Sequence, residues 1–177
     1  MQAKQYALLL ALLKAMDERG SWCGETHVQK ASYFLQEATH VPLDLDFILY
    51  KHGPYSFDLH EDLGEMRARL LIDIEQRAPY GPSLKQGPSA QVLADGFSNA
   101  VAAYSPAIDF VVEKLSGHGV VDLERLATAL YVIRNYTAEE DKAGLMNALK
   151  PHVTKDRAAE AIDEVEKILE QASRLGS

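Results

Sequence analysis

The chain has 177 residues, 47% of them hydrophobic, which is enough for one sizeable core that folds without covalent staples. Its single cysteine, Cys23, excludes an intramolecular disulfide and gives no sign of an oxidising compartment, so a cytoplasmic address is expected. The formal charge of -8 is uneven, with seven Lys or Arg against twelve Asp or Glu in residues 1–75, so the basic footprint of a nucleic-acid binder is missing.

The spacing predicts a first helix over Ala3 to Arg19, apolar nearly all round, central in the fold and stopped by Gly20. Its apolar run Tyr6 to Leu13 lies between Lys4 and Lys14 and is far short of the about 20 residues a membrane span needs, with no small-residue cleavage site after it. No other segment approaches that length. In Gly24 to Ala38 the apolar residues Val28, Ala31, Leu35 and Ala38 recur with helical spacing, Phe34 beside them. Pro42 breaks the pattern. Leu43-Asp44-Leu45-Asp46-Phe47 then alternates apolar with acidic, and Ile48-Leu49-Tyr50 reads as a short half-buried extended segment.

After the stretch Tyr50-Lys51-His52-Gly53-Pro54-Tyr55-Ser56, Ser56 is placed to cap a helix from about Phe57 to Leu70, with Leu59, Leu63, Met66 and Leu70 as its stripe. Leu71 to Glu75 alternates like an edge strand, Pro79 to Ser89 reads as a Pro- and Gly-rich loop, and Gln91-Val92-Leu93 as a returning strand. Further on, Ser105-Pro106 predicts a helix start, with Ile108, Val111, Val112 and Leu115 following and Gly117 and Gly119 ending it. Asp122 is expected to cap a helix carrying Leu123, Leu126, Leu130 and Ile133; Thr137 with Glu140 fits a capping box for a short helix ended by Pro151. Thr154 caps a last helix whose apolar face is Ala158, Ala161, Ile162, Val165, Ile168 and Leu169. The fold class is therefore mainly α with a small β wing: a winged-helix-like region over 1–97, with the Pro-rich loop as wing, packed with C-terminal helices over 98–177 as one globular unit.

The stretch from Tyr50 to Ser56 is an irregular turn richer in rigid and aromatic residues than a connection requires. Gly53 tolerates positive φ and Pro54 locks its own, which makes a structural corner presenting His52, Tyr55 and Ser56 in one geometry. The same residues also make a plain sharp corner, with Ser56 as N-cap and Tyr55 stapling the helix to the core. The two readings coexist. A nucleophilic reading of Ser56, with His52 or His60 as base and Asp58 as orienter, lacks the strand-elbow-helix pattern that the chemistry needs.

The six histidines are scattered, and Cys23 with His27 is at most half a metal site. With neither a Walker loop nor a dinucleotide fingerprint, no catalytic residue, metal or cofactor is assigned. On a DNA-binding winged helix, the helix after the turn would present Asp58, Glu61, Asp62 and Glu65 to phosphates, with Arg67 and Arg69 only at its far end. Lys30, Lys51, Arg77 and Lys85 are too few to offset them.

Thr26-His27-Val28-Gln29-Lys30, Tyr33-Phe34-Leu35, the Tyr50 to Ser56 stretch, Leu59 and Asp62-Leu63 together resemble the YwgA-like proteins and the related Panacea domain. Asp122 to Tyr131 and Leu149-Lys150-Pro151 are similar to the family's C-terminal part, so the resemblance covers most of the chain. Val28 stands where the family commonly has Leu, and Lys51-His52 is nearer the YwgA form than the Panacea form. The resemblance implies a protein-binding antitoxin-like module, transfers no catalytic residue, and marks Gln29 and Lys30 with the Gly53-Pro54-Tyr55-Ser56 corner.

The expected function is thus a non-enzymatic protein-binding module, antitoxin-like or a defence-associated adaptor, with Tyr50, Lys51, His52, Tyr55, Ser56 and Phe57 at the partner surface. The partner expected is a protein, a basic toxin or effector that the acidic residues steer. No membrane partner is expected, and self-association is left open. The alternative is a winged-helix transcriptional regulator on DNA.

Overall fold

The structure is a computed structural model that describes residues 2–76, 78 and 81–175. Arg77 and the start of the expected loop, Pro79 and Tyr80, lie outside the described residues. Helix α1 (Ala3–Glu18) is buried at nine positions, as its all-round apolarity predicts. It stops because Gly20 turns left-handed (φ 74), so that the Gly20 and Ser21 amides close on the Asp17 and Met16 carbonyls. Helix α2 (Glu25–Thr39) follows, ended by His40 at φ 58.

The chain then runs without regular structure to Phe47, burying Val41, Leu43 and Leu45 and exposing Asp44 and Asp46. The predicted alternation therefore holds for burial although strand pairing begins only at β1 (Ile48–Tyr50). What the sequence suggests is an irregular turn is a tight antiparallel hairpin, because β2 (Gly53–Tyr55) pairs with β1 across the two-residue connection Lys51-His52.

Ser56 caps α3 (Phe57–Ala68). This helix ends two residues before the expected Leu70, which takes φ 60 and is 58% exposed instead of completing the stripe. The Leu70 and Leu71 amides donate to the Arg67 and Met66 carbonyls, the closure ordinarily made with glycine at the left-handed position. The wing is a second antiparallel hairpin, β3 (Ile72–Gln76) with β4 (Pro82–Gln86), Ile72 opposite Gln86 and Gln76 opposite Pro82. The returning strand thus lies inside the stretch read as loop, where Pro82 is tolerated at a strand start. Gln91-Val92-Leu93 belongs instead to helix α4 (Ala90–Gly96).

Helix α5 (Ser98–Leu115) passes through Pro106 instead of starting there. The carbonyl that Pro106 leaves without a donor belongs to Ala102, an exposed residue that water can serve. In α6 (Val120–Asn135) Gly119 holds the cap position, and Asp122 instead accepts from Arg125 Nη2 at 2.7 Å. The helix α7 (Lys142–Leu149) is capped by Asp141, which accepts from the Gly144 amide at 2.9 Å, so the Thr137 capping box is not formed. Thr154 caps α8 (Lys155–Ala172) as expected.

The fold is mainly α with a small β wing. Helix α1 packs on α5, α2 on α6, and α6 on α7 and α8, so one hydrophobic cluster runs from Tyr6 to Ile168 through both halves of the chain. Among the described residues no helix is long and apolar enough to cross a membrane.

Candidate functional site

The hairpin β1–β2 is held from three directions. From beneath, α2 contributes two side chains that are 0% and 1% exposed, Gln29 and Lys30. The Gln29 amide reads the Ser56 backbone on both sides: its Nε2 donates to the Ser56 carbonyl at 2.8 Å, and its Oε1 accepts the Ser56 N–H at 2.9 Å. Lys30 Nζ donates to the Pro54 carbonyl at 2.7 Å. Burial pulls the Lys30 ammonium down to about 8, with Lys150 adding to the effect and Glu124 opposing it.

From the C-terminal half, Lys150 Nζ donates to the carbonyls of Tyr50 and Lys51, the latter at 2.7 Å. Helix α6 closes the third side. Lys51 and His52 keep negative φ, and Gly53 supplies the left-handed residue at φ 85. A Cβ at Gly53 would lie 2.9 Å from Thr128 Oγ1 and 3.2 Å from the Glu124 carbonyl. Gly53→Ala is therefore expected to lower stability on the order of 1–2 kcal/mol from backbone handedness, with the Thr128 contact adding to it. Urea denaturation of Gly53→Ala, Thr128→Ala and the double variant checks this. Removing the Thr128 hydroxyl should recover part of the loss, and strictly additive effects would refute the contact.

Ser56 was expected at a partner surface. It is fully buried, its Oγ accepting from the Leu59 amide at 3.2 Å, so it is the cap and hinge of the corner and is out of a partner's reach. Gln29 and Lys30 are likewise internal. The serine, histidine and aspartate considered as a nucleophilic set point to separate tasks: His52 pairs with Glu124 at 3.3 Å and His60 with Glu25 at 2.8 Å. Asp62, expected outward on α3, is buried and accepts from Tyr6 Oη at 2.9 Å.

What the hairpin does expose is aromatic. The rings of Tyr50, Tyr55 and Phe57 form a triangle with centroids 5.9 Å (Tyr50–Tyr55), 5.5 Å (Tyr50–Phe57) and 5.0 Å (Tyr55–Phe57) apart. Tyr50 is 45% and Phe57 50% exposed, and Ile48 extends the patch at 49%. Tyr55 is fixed by donating its hydroxyl to Glu25 at 3.0 Å; burial, and then this hydrogen bond, push its phenol up to about 12. Next to Phe57, a groove of about 330 Å³ is lined by Asp44, Asp58, Glu61, Asp62 and Glu65. Lys51 and His52, on the hairpin connection, face a different cavity together with α6 and α8.

Sequence reasoning missed Glu25, Glu124, Thr128 and Lys150, which act on the hairpin from far along the chain. Glu124, Thr128 and Lys150 lie in runs that carry the family resemblance, Asp122 to Tyr131 and Leu149-Lys150-Pro151, but nothing in the sequence tied them to the hairpin, and Glu25 carried no signal. No protein-family model matches this chain, and no curated protein matches it in sequence.

Proposed function

We propose that this chain is a non-enzymatic protein-binding module whose docking surface is the Tyr50–Tyr55–Phe57 triangle with Ile48. The observation that carries the reading is an exposed aromatic cluster on a hairpin pinned from three directions. Large rigid rings already in place bind without the entropy cost of ordering, which is how anchor residues work. The acidic groove beside Phe57 selects a basic partner and speeds encounter with it.

The residues that carry the YwgA-like resemblance, Gln29 and Lys30 with the Gly-Pro-Tyr-Ser corner, are those that hold the hairpin from beneath, and the rings stand on that hairpin. By that resemblance the module is antitoxin-like or a defence-associated adaptor, cytoplasmic, acting by occlusion of a basic toxin or effector. The winged element order favours DNA as the competing ligand, but α3 exposes Asp58, Glu61 and Glu65 where phosphates would lie.

Co-expression with the product of the neighbouring reading frame, followed by pull-down and titration, tests the reading. Phe57→Ala is expected to weaken the complex about tenfold or more while leaving the melting temperature in place, because the ring is half exposed. A complex indifferent to both Phe57→Ala and Tyr50→Ala would detach the hairpin from the interface. Salt-sensitive binding of duplex DNA in an anisotropy titration would favour the regulator instead.

A further inference from the structure

The cavity faced by Lys51 and His52 has a chemistry opposite to that of the rest of the molecule. It is walled by the hairpin connection, by α6 through Glu124, Arg125 and Thr128, and by the segment from Lys150 into the first turn of α8. Four cationic side chains, Lys51, Arg125, Lys150 and Arg157, line it against one carboxylate, Glu124, in a chain whose net charge is -8. Two imidazoles, His52 and His152, join them.

Three carboxylates meet these side chains. Glu124 holds His52 at 3.3 Å, Asp122 takes Arg125 Nη2 at 2.7 Å, and Glu160 takes Arg157 Nη1 at 3.0 Å. These contacts orient the cations without using up their donors. Arg125 Nε is buried with no hydrogen-bond partner, and Lys150 donates to two neutral backbone carbonyls, so Glu124, which also pairs with His52, is the carboxylate whose charge acts on it. The cations still outnumber the carboxylates that meet them, and an anion would balance that excess of positive charge. The positive end of α8, capped at Thr154, opens on the same space.

From this convergence we propose that the cavity between the hairpin connection, α6 and the start of α8 is a binding site for the phosphate group of a small molecule. Two guanidinium forks and an ammonium around one small space suit an anion that offers several acceptor oxygens in different directions, as a phosphate group does. The cavity measures about 140 Å³, well below the roughly 300–1,000 Å³ of a site that engulfs a whole organic ligand. A phosphate group therefore sits inside, and the body of an ester lies over the rim, where Val121 is 73% exposed. The site shares the hairpin connection and Lys150 with the corner but none of the three rings of the triangle lines it.

The experiment is a thermal-shift and calorimetric titration of the full chain with inorganic phosphate, adenosine monophosphate and adenosine. Phosphate and the monophosphate are expected to raise the melting temperature saturably and to compete, while adenosine does neither. Tighter binding of the monophosphate assigns the site to phosphate esters, and equal binding assigns it to the free anion. Arg157→Gln, at an exposed position, should weaken binding about tenfold, and Arg125→Gln with Arg157→Gln should weaken it further, since each removes a charge-assisted hydrogen bond. Both variants should keep any Phe57-dependent partner binding. Absence of phosphate binding at millimolar ligand, binding untouched in the double variant, or binding of duplex DNA alone would overturn the proposal.

Discussion

Replacing Gln29 by alanine is expected to destabilise the fold by about 3 kcal/mol, the largest single-site loss among the polar contacts of this molecule. The side chain is fully buried and supplies both a donor and an acceptor to the backbone of one residue, meeting the C=O and the N–H of Ser56. Without it the Ser56 carbonyl keeps a partner, since the His60 amide donates to it at 3.2 Å in the first turn of α3. The Ser56 N–H keeps none, and an unmet buried donor costs about 1–3 kcal/mol, to which the lost second bond and the vacated volume add. Gln29→Met separates these contributions by restoring most of the volume and none of the polarity. Chemical denaturation should place the methionine variant close to alanine. A methionine variant as stable as the parent would show that the amide pairing carries no net stability.

The helices of this fold were largely legible because burial follows apolar spacing. The stripes of α2, α6 and α8, and Ser56 and Thr154 as caps, needed only local periodicity and capping chemistry to be read. The errors fall where a residue's surroundings override its local signal. Pro82 and its neighbours read as loop, yet Leu84 donates its amide to the Cys23 carbonyl at 2.8 Å and pairs with β3. Pro106 reads as a helix start, yet exposure of Ala102 lets the helix continue through it.

The corner itself was recognisable as over-specified, and Tyr50, Tyr55 and Phe57 could be named as anchors from it. The division of labour inside it was not, because Ser56 facing Gln29 and Gly53 facing Thr128 are contacts across 27 and 75 positions. Nor did any spacing rule bring Arg125, Lys150 and Arg157 into one cavity. A chain read only as acidic hides a cationic site of that kind.

Lys30 makes stability depend on pH in a direction opposite to that of an ordinary ion pair. With the folded ammonium lowered to about 8 and an unfolded lysine near the usual 10.5, the unfolded chain carries the extra proton between those values. Stability must therefore rise with pH across that window, and below it the charged, buried ammonium imposes a penalty of about 3 kcal/mol. The neutral amine still donates to the Pro54 carbonyl, so the corner keeps its bond while the penalty is relieved. Lys30→Met removes the titration and the bond together. The difference in unfolding free energy between parent and variant should shift in favour of the parent by about 2 kcal/mol from pH about 7.5 to pH about 10. Taking the difference matters, because the raised phenols of Tyr6, Tyr33 and Tyr55 work the other way above pH about 10, where the unfolded chain loses protons that the folded chain keeps. A difference flat over that range would mean that Lys30 titrates as a solvated lysine, and that the hairpin does not seal it from water.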